Sequence, residues 1–523
     1  MLTSLSMLML AGCTPKTPPA PSPPPPIPEV RFVDRAAEAG LAFRFRIAGP
    51  RPLDILQSIG SGCAFLDFDS DGNLDILLVG ERPGLFRGDG TGHFTDVTAL
   101  LRGIHGHFLG CAVGDYDGDG FVDLYLSGYR EGRLLHNEAG KGFRDVTAAS
   151  GLRPQPWGTA CAWTDMNADG KQDLIVGNYV AFDPKRDRRL CPVKGHPTGC
   201  GPIDYRPVKS VLYQNLGGGR FQGLTINGTQ GGGLGCVVLP HEGSPRPAIA
   251  LINDERPADL LTPTASGYQN SGPESGMAVT PEGGVYGGMG VDSGDYDNDG
   301  DPDLIIATFQ NEMNNLFQNQ GSGLFANDSV RSGIALPAPH KPQVAFGVKF
   351  LDADNDGWLD VLFTNGHIRD NVETFDTTTT YRQPTELFHN RHGKFAYQRI
   401  SAPIVGRGLA VGDYDNDGLP DALAVDAEGA PLLLHNESTQ TGNWLGISGL
   451  REGTKLVAQI GERTLTRWCH TDGSYLSASD ARVLFGLGTA TLIDSLTLTW
   501  PSGKTQTLKN LTPNHYVTAK ETR

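Results

Sequence analysis

The chain has 523 residues, 38% of them hydrophobic, and a formal net charge of −16, so it is long enough for two or three domains with a sizeable core. The acidic balance, and the lack of a basic face interleaved with aromatic residues, exclude a nucleic-acid-binding protein. The sequence also contains no apolar stretch long enough to span a membrane as a helix.

The chain begins with a short apolar segment, residues 1–13, that ends in Leu10-Ala11-Gly12-Cys13. This ending resembles a bacterial lipobox, so we predict a lipoprotein signal peptide over 1–13 with lipidation at Cys13; a plain signal peptide or a disordered tail is the alternative. Residues 14–30 are proline-rich and predict a semi-rigid linker. We therefore expect an extracytoplasmic protein, lipid-anchored to a bacterial membrane. By resemblance to bacterial lipoproteins, Thr14 favours the outer membrane.

An aspartate-rich motif of nine residues, D-x-[DN]-x-D-G-x-x-D, occurs six times along the chain. Its copies lie at 67–75, 115–123, 165–173, 295–303, 352–360 and 413–421. Each copy is followed by a short apolar run bounded by Gly, Asn or Pro. The pattern therefore predicts a tight loop that leads into a buried β-strand, repeated along the chain.

The spacing of the motif predicts one metal ion in each loop. Aspartates at positions 1, 3, 5 and 9, with the carbonyl of position 7, surround a cation with oxygens, and the glycine at position 6 permits the turn. Loose oxygen-rich sites favour calcium over magnesium, and position 12 is never the glutamate of an EF-hand. Asx turns without an ion are the alternative, but the carboxylates would then repel one another.

The predicted ligands of about six Ca²⁺ ions are Asp67, Asp69, Asp71, Asn73, Asp75, Asp115, Asp117, Asp119, Phe121, Asp123, Asp165, Asn167, Asp169, Lys171, Asp173, Asp295, Asp297, Asp299, Asp301, Asp303, Asp352, Asp354, Asp356, Trp358, Asp360, Asp413, Asp415, Asp417, Leu419 and Asp421.

The repeats extend beyond the loops and predict a β-propeller. After each apolar strand comes a Gly/Asn hairpin turn and a further strand, at 85–98, 134–147, 212–225, 316–329 and 387–395. The long gap between 173 and 303 contains a worn copy at 249–261, which keeps Asp259 but lacks the other aspartates. Counting this copy gives seven units, each of the size of a four-stranded propeller blade. We expect the fourth blade to bind no calcium. We expect residues near Phe32 to supply the missing strand of the last blade.

These loops and strands resemble the FG-GAP/VCBS repeats of integrin α-subunit propellers. The segments 443–447 (NWLGI), 473–488 (GSYLSASDARVLFGLG) and 493–508 (IDSLTLTWPSGKTQTL) resemble the ASPIC/UnbV domain. This order is similar to the cartilage acidic protein family and its bacterial relatives. The resemblance implies an all-β fold, with a seven-bladed integrin-α-like propeller over 31–440 and a small β-rich domain over 441–523. It also implies a calcium-binding extracytoplasmic protein without a well-established catalytic activity.

The cysteines predict one disulfide. Cys191 and Cys200 lie within the long insertion after the third loop and are the best pair in an oxidising compartment; a zinc site that adds His196 is the alternative. Four other cysteines occupy one equivalent position before a loop, where a buried unpaired residue near the propeller axis is expected. They are Cys63, Cys111, Cys161 and Cys236.

Catalytic motifs are not evident, because the chain contains no nucleophile elbow, phosphate loop or zinc-peptidase motif. His340 and His367 lie in connecting loops and are expected to be structural. We therefore predict a binding module and not an enzyme, whose variable loops 181–210 and 366–384 recognise an envelope or extracellular protein or a glycan. A calcium-dependent enzyme acting on polysaccharide, or a structural subunit of an envelope complex, is the alternative.

Overall fold

The computed structural model describes residues 30–224, 226, 228–335, 343–439 and 441–521. The predicted signal peptide, Cys13, the linker up to residue 29 and His340 lie outside the described residues. The described helices are short: α1 (Ile55–Ser58), α2 (Thr147–Ser150), α3 (Gly272–Ser275) and α4 (Ser329–Ser332), with 3-10 turns at Thr98–Leu101, Pro202–Asp204 and Val372–Thr374. Within these ranges no helix has the length and apolar character needed to cross a bilayer.

Seven four-stranded antiparallel sheets form the larger part of the molecule. The chain opens with β1 (Phe32–Asp34), which belongs to the last sheet. Blade 1 contains β2 (Cys63–Leu66), β3 (Asp75–Leu78), β4 (Gly84–Gly88) and β5 (Phe94–Asp96); blade 2 contains β6 (Phe108–Gly114), β7 (Asp123–Gly128), β8 (Glu131–Asn137) and β9 (Phe143–Asp145).

The middle blades follow in chain order. Blade 3 contains β10 (Gly158–Thr164), β11 (Asp173–Asn178), β14 (Val211–Gly217) and β15 (Arg220–Leu224), and a separate hairpin of β12 (Cys191–Val193) and β13 (His196–Thr198) lies within it. Blade 4 contains β16 (Gly233–His241), β17 (Ser244–Asn253), β18 (Asp259–Thr264) and β19 (Gly267–Asn270); blade 5 contains β20 (Gly288–Gly294), β21 (Asp303–Thr308), β22 (Asn315–Asn319) and β23 (Phe325–Asn327).

The last two blades complete the ring. Blade 6 contains β24 (Ala345–Leu351), β25 (Asp360–Asn365), β26 (Glu386–Asn390) and β27 (Phe395–Arg399), and blade 7 contains β28 (Gly406–Gly412), β29 (Asp421–Asp426), β30 (Leu432–Asn436) and β1. The first strand of each blade packs against the first strand of the next, and β28 packs against β2. The predicted all-β, seven-bladed propeller is therefore confirmed.

Burial follows from this arrangement. In each blade that has an aspartate loop, the second strand is buried throughout, because neighbouring blades cover both faces of the sheet. The four cysteines at the equivalent position lie on first strands, where they are buried and unpaired. The runs of apolar residues after each loop are thus the core of the propeller.

The ring closes through the N-terminal strand, as the sequence predicts. Strand β1 pairs antiparallel with β30, with Phe32 opposite Asn436. The backbone N–H of Arg35 donates to the carbonyl of Leu433 at 2.8 Å. This pairing covers the outer edge of blade 7 and joins the two ends of the ring.

Blade 4 differs from the prediction in one respect. Asp259 does not end a degenerate loop before the second strand, because it opens the third strand, β18. The second strand, β17, follows β16 directly through a tight turn in which His241 pairs with Ser244. The apolar run after Asp259 resembles a second strand in sequence, and only the pairing of the sheet shows its true place.

The C-terminal domain has two small sheets. Its strands are β31 (Asn443–Ser448), β32 (Lys455–Ile460), β33 (Arg463–Trp468), β34 (Val483–Gly488), β35 (Ile493–Thr499), β36 (Thr505–Leu511) and β37 (Tyr516–Thr518). One sheet has the order β33-β32-β35-β36 and the other has the order β34-β31-β37, with β31 and β37 parallel. The small β-rich domain expected at the C-terminus is therefore confirmed.

This domain also fills the centre of the propeller. Residues 470–482, here called the axial segment, connect β33 to β34 and enter the ring, where Ser474 pairs with Val291 and Ala478 pairs with Ala64. The side chain of Tyr475 is fully buried, and its hydroxyl donates to the carbonyl of Ile59 at 3.0 Å. A Cβ on Gly62 would lie 1.8 Å from the carbonyl oxygen of Leu476, so that glycine is needed for the close approach.

Truncation of the chain tests the closure of the ring. Removal of residues 1–35 deletes β1, whereas removal of residues 1–29 keeps it. We expect only the longer truncation to lower the melting temperature by several degrees and to promote aggregation. It exposes the edge of β30 and removes the buried side chains of Val30 and Phe32. Thermal melting with light scattering measures both effects, and equal melting temperatures would contradict the closure.

Candidate metal centres and axial pocket

The six aspartate loops share one geometry, and each takes the number of its blade: loops 1, 2, 3, 5, 6 and 7. In loop 1, Asp67 at position 1 accepts the backbone N–H groups of Asp71 and Gly72 at 3.1 and 2.9 Å. Asp71 at position 5 accepts the N–H of Asn73 at 2.8 Å. Asp67, Asp69 and Asp71 each offer an oxygen within 4.8 Å of the others. The loop backbone thus turns these carboxylates toward one point.

The backbone donation from position 7 to position 5 recurs in all six loops. It places the predicted position-7 residues beside the carboxylates of the same loop. These residues are Asn73, Phe121, Lys171, Asp301, Trp358 and Leu419.

The aspartate at position 9 is buried and connects two strands. In loop 2, Asp123 accepts the N–H of Tyr116 on one oxygen at 3.3 Å and the N–H of Asn137, on the third strand, on the other at 2.8 Å. The same pair of contacts is made by the equivalent residues, Asp75, Asp173, Asp303, Asp360 and Asp421. Burial raises the pKa of Asp123 to about 8, although the hydrogen bonds oppose the shift. An opposite charge at this site would stabilise the ionised form.

In four blades, an asparagine at the end of the third strand joins the loop of its own blade to the loop of the preceding blade. The amide of Asn137 donates to the carbonyl of Val122 in loop 2 and to that of Phe68 in loop 1, at 2.9 and 2.8 Å. The same bridge between blades is made by Asn215, Asn390 and Asn436. Sequence analysis missed this role, although the repeated H-N or Q-N before each hairpin turn was its signal.

The residue one position earlier on the third strand lies opposite position 3 in five of the loops. It is Arg87 in loop 1, His136 in loop 2, Gln318 in loop 5, His389 in loop 6 and His435 in loop 7, each with a side-chain nitrogen within 3.8 Å of the position-3 carboxylate. Sequence analysis did not identify these residues. Their chemistry differs from loop to loop even though their place is the same.

The residues fit a hard cation. One buried oxygen at position 3 lacks a hydrogen-bond partner among the described residues in loops 1, 5, 6 and 7, on Asp69, Asp297, Asp354 and Asp415. Buried carboxylate oxygens without a donor are the ligands that calcium takes in proteins. Loop 3 is the weakest candidate, because Asn167 replaces an aspartate and the ammonium of Lys171 lies 2.8 Å from Asp169.

The C-terminal domain covers loops 5, 6 and 7. Arg467 donates to the carbonyl of Gly357 at 3.1 Å, and Arg482 donates to the side-chain oxygen of Asn416 at 2.6 Å. The hydroxyl of Tyr516 donates to Asp413 at 2.7 Å. Position 1 of these three loops is consequently buried, whereas position 1 of loops 1, 2 and 3, at Asp67, Asp115 and Asp165, is half-buried.

A pocket lies over the propeller axis on the opposite face. Its walls come from residues before or at the start of the first strands, such as Ile59 and Phe346, and from residues after the second strands, such as Tyr179, Glu255 and Arg369. The aspartate loops instead follow the first strands, so the pocket and the loops occupy opposite faces of the ring. We call this the axial pocket.

Charged groups in and beside the axial pocket are incompletely paired. Glu255 Oε2 and Arg369 Nε are buried, and neither has a hydrogen-bond partner among the residues that the structure describes. The hydroxyl of Tyr179 donates to Asp254 at 2.6 Å. Burial raises the pKa of Asp254 to about 7, assisted by Glu255 and Glu312, while the bond from Tyr179 opposes the shift. Burial also lowers the pKa of Arg369.

The two long loops that do not repeat meet beside this pocket. The amide of Asn371 donates to the carbonyl of Pro197 at 2.9 Å, and Lys194 Nζ donates to the carbonyl of Phe375 at 3.4 Å. These contacts join 181–210 to 366–384. Cys191 and Cys200 form a disulfide across the β12–β13 hairpin, and Cys200 lines the pocket.

His367 takes no part in this surface. Its side chain is fully buried, with Nε2 2.9 Å from the side-chain oxygen of Gln310, while Nδ1 accepts the N–H of Arg369 at 2.9 Å. Burial lowers the pKa of His367 to about 3. The residue holds the 366–384 loop in place and is not available to a ligand.

Comparison with known proteins agrees with the fold. Residues 442–523 match the ASPIC and UnbV family model, and residues 67–126, 115–176 and 295–363 match the FG-GAP-like repeat. The chain is therefore an FG-GAP-like repeat protein with a C-terminal ASPIC and UnbV domain. It is similar to cartilage acidic protein 1 of Xenopus tropicalis, with 25% identity over 303 residues (52% of this chain and 42% of that protein). The Mus musculus protein of that name is 22% identical over 382 residues (69% and 54%). The matches thus span about half of the relatives' length.

Similar solved structures include two lectins. One is from Agrocybe aegerita and is described as recognising non-reducing terminal N-acetylglucosamine (TM-score 0.39, 13% identity, 70% of this chain and 86% of that one). The other is SapL1 lectin in complex with alpha methyl fucoside (TM-score 0.35, 10% identity, 66% and 97%). YCF48 from Cyanidioschyzon merolae is also similar (TM-score 0.42, 11% identity, 72% and 95%). These scores are too low to carry an argument about ligands.

Two substitutions in loop 2 separate the role of position 9 from that of position 3. Asp123→Asn turns an N–H group toward a backbone donor, so we expect a loss of about 1–3 kcal/mol of stability with or without calcium. Asp117→Asn leaves the backbone hydrogen bonds of Asp123 in place. We therefore expect this variant to reduce only the rise in melting temperature that calcium produces. Denaturation in calcium and in EDTA measures both. A similar calcium-independent loss in the two variants would contradict this division of roles.

Asp254→Asn tests the buried carboxyl beside the pocket. Its pKa of about 7 in the folded protein exceeds the value of about 3.9 expected when unfolded. Between these values the unfolded chain releases a proton that the folded chain keeps, so stability falls as pH rises through the window. The variant has no ionisable group at this position, so its stability does not fall in this way. We expect its free energy of unfolding to rise by about 2–4 kcal/mol relative to that of the unsubstituted protein as the pH increases from about 4 to about 8. Guanidinium denaturation in saturating calcium measures this difference, and a pH-independent difference would contradict it.

Proposed function

We propose that this protein is a calcium-stabilised, extracytoplasmic binding module whose ligand, a protein or a glycan, binds at the axial pocket. The observation that carries the proposal is the pair of incompletely bonded charged groups, Glu255 and Arg369, in a pocket bordered by the loops that do not repeat. Binding residues are commonly found on variable loops that a rigid scaffold positions.

Calcium at the aspartate loops supports this function from the opposite face. Each loop brings together more carboxylates than it has neighbouring cationic side chains, and a divalent cation would supply the missing counter-charge. Because position 9 joins the loop to the third strand, an ion bound there stiffens the whole blade. The pocket takes residues from several blades, so its shape depends on that stiffness.

The pocket chemistry suits a polar ligand with an apolar part. The Glu255 carboxylate accepts hydrogen bonds from hydroxyl or ammonium groups, and the Arg369 guanidinium donates to carboxylate or carbonyl oxygens. Leu53 and Phe346 provide apolar wall between these ends. Peptides and glycans both combine such groups, and the proposal assigns the protein no catalytic step.

The membrane anchor is a further part of this proposal. Lipidation at Cys13 and the linker over 14–30 would hold the propeller away from the membrane on the extracytoplasmic side, with the outer membrane favoured. The proposal rests here on the sequence alone, because these residues precede the part of the chain that the structure describes.

Affinity capture tests the function. The immobilised protein is exposed to an envelope fraction in calcium or in EDTA, and the retained component is identified by mass spectrometry and then titrated. We expect calcium-dependent, saturable binding that weakens at least about tenfold in Glu255→Gln and in Arg369→Ala, the equivalent of about 1.4 kcal/mol. We also expect EDTA to lower the melting temperature.

Arg220→Ala is the matched control, since Arg220 is an exposed arginine on β15 that does not line the pocket. Binding by this variant should equal that of the unsubstituted protein. Binding that survives both pocket variants would overturn the assigned site. Turnover of a glycan by the purified protein would overturn the non-catalytic function, and a melting temperature unchanged by EDTA would overturn the structural role of calcium.

A further inference from the structure

A histidine on the third strand faces the carboxylates of loop 6. His389 is 4% exposed, and its Nε2 lies 3.2 Å from Asp354 Oδ2 and 3.9 Å from Asp360 Oδ1. Asp354 is also 4% exposed, and its other oxygen has no hydrogen-bond partner among the described residues. The imidazole nitrogen and the two carboxylates offer ligand atoms that all lie within 4.8 Å of one another. Buried ligand atoms of two chemical types thus converge on one point, and one carboxylate oxygen among them has no donor.

Loops 2 and 7 repeat this arrangement. His136 Nδ1 lies 3.2 Å from Asp117 and 3.4 Å from Asp123. His435 Nδ1 lies 3.1 Å from Asp421 and 3.8 Å from Asp415. In each case the histidine lies between position 3 and position 9, so three separate blades build the same mixed set of donors.

The other loops have only hydrogen-bond donors near this place. Arg87 Nε lies 2.7 Å from Asp69 in loop 1, and the amide of Gln318 donates to Asp297 at 2.6 Å in loop 5. Loop 3 has Gln214 at the same position in the sequence. A guanidinium or an amide N–H satisfies a carboxylate but has no lone pair for a metal, whereas an imidazole nitrogen has one.

We propose that loops 2, 6 and 7 are mixed nitrogen–oxygen sites that bind a divalent cation with an affinity for imidazole, such as Zn²⁺, in preference to calcium. Loops 1, 3 and 5 are then all-oxygen sites. This inference rests on the proposal that the aspartate loops are metal centres, and it divides them into two classes. Imidazole suits transition metals, while sites made only of carboxylate and carbonyl oxygens suit calcium.

Metal counting tests the inference on the purified chain. The protein is freed of metal with a chelator, dialysed against Zn²⁺ in a large excess of calcium, and its zinc content is measured by mass spectrometry. We expect three equivalents of zinc, one for each histidine-containing loop. The triple variant His136→Gln, His389→Gln and His435→Gln should retain none, and each single variant should lose one.

The substitution to glutamine is well matched, because loops 3 and 5 have glutamine at this position and fold with it. The reverse change, Gln318→His in loop 5, should add a fourth equivalent of zinc. With Mn²⁺ as the probe, pulsed electron paramagnetic resonance should detect nitrogen coupling in the unsubstituted protein and not in the triple variant. The single variants still decide the question where the triple variant does not fold.

Two results would overturn the inference: a zinc content unchanged by the histidine substitutions, or no zinc retained in excess calcium. Either would leave the histidines as ion-pair partners of the aspartates. The calcium proposal is tested separately by the melting temperature. If calcium does not raise the melting temperature of the unsubstituted protein or of the triple variant, the calcium proposal fails. The zinc content still decides whether loops 2, 6 and 7 prefer zinc.

Discussion

The buried carboxylate at position 9 of each aspartate loop is the contact on which the propeller depends. In loop 2, Asp123 accepts one N–H from its own loop and one from the third strand. A single side chain therefore holds the loop between the first two strands against the third strand. The same burial raises the pKa of this group to about 8, which means that the ionised form needs a counter-charge. The aspartates at positions 1, 3 and 5 add further negative charge around it. A cation bound at the proposed site would therefore stabilise the folded blade, and the folded blade would stabilise the bound cation.

The sequence predicts the arrangement of the seven blades better than it predicts which residues fill the centre of the propeller. The motif spacing gives the number of blades, and the segment near Phe32 gives their closure, because both depend on patterns within a repeat. Asp259 was misplaced because an apolar run after an aspartate has the same local pattern on a second strand and on a third. The place of Tyr475 in the axis depends on contacts with residues hundreds of positions away, such as Ile59. No local pattern carries that information.

The histidines of loops 2, 6 and 7 illustrate the same limit within the candidate site. Each histidine lies on the third strand, beyond the second strand and the connection that follows it. A search confined to the nine-residue motif therefore does not reach it. The sequence signal is the repeated His-Asn or Gln-Asn pair on the third strand, but the two residues of the pair have different roles. The asparagine bridges to the preceding blade, and the residue before it, where the structure records a contact, faces the loop of its own blade. Only the pairing of second and third strands separates these roles.

Blade 4 joins its first two strands by a tight turn without an aspartate loop, and its buried aspartate lies at the other end of the sheet. It has no aspartate loop, yet Asp259 accepts hydrogen bonds from the amides of Asn253 and Asn270 at 3.0 and 2.7 Å, and from the backbone of Gln230. Neutral amides thus hold a buried carboxylate at the pocket end of the blade, opposite the end at which the other blades have their aspartate loops. The turn between Asn253 and Asp259 carries Asp254 and Glu255 to the axial pocket. The blade that needs no cation therefore supplies the acidic side of the pocket, and blade 6, which has a loop, supplies Arg369 on the other side. The distance between these two charges is set by the blades between them, so metal bound at one face, as proposed, would govern recognition at the other.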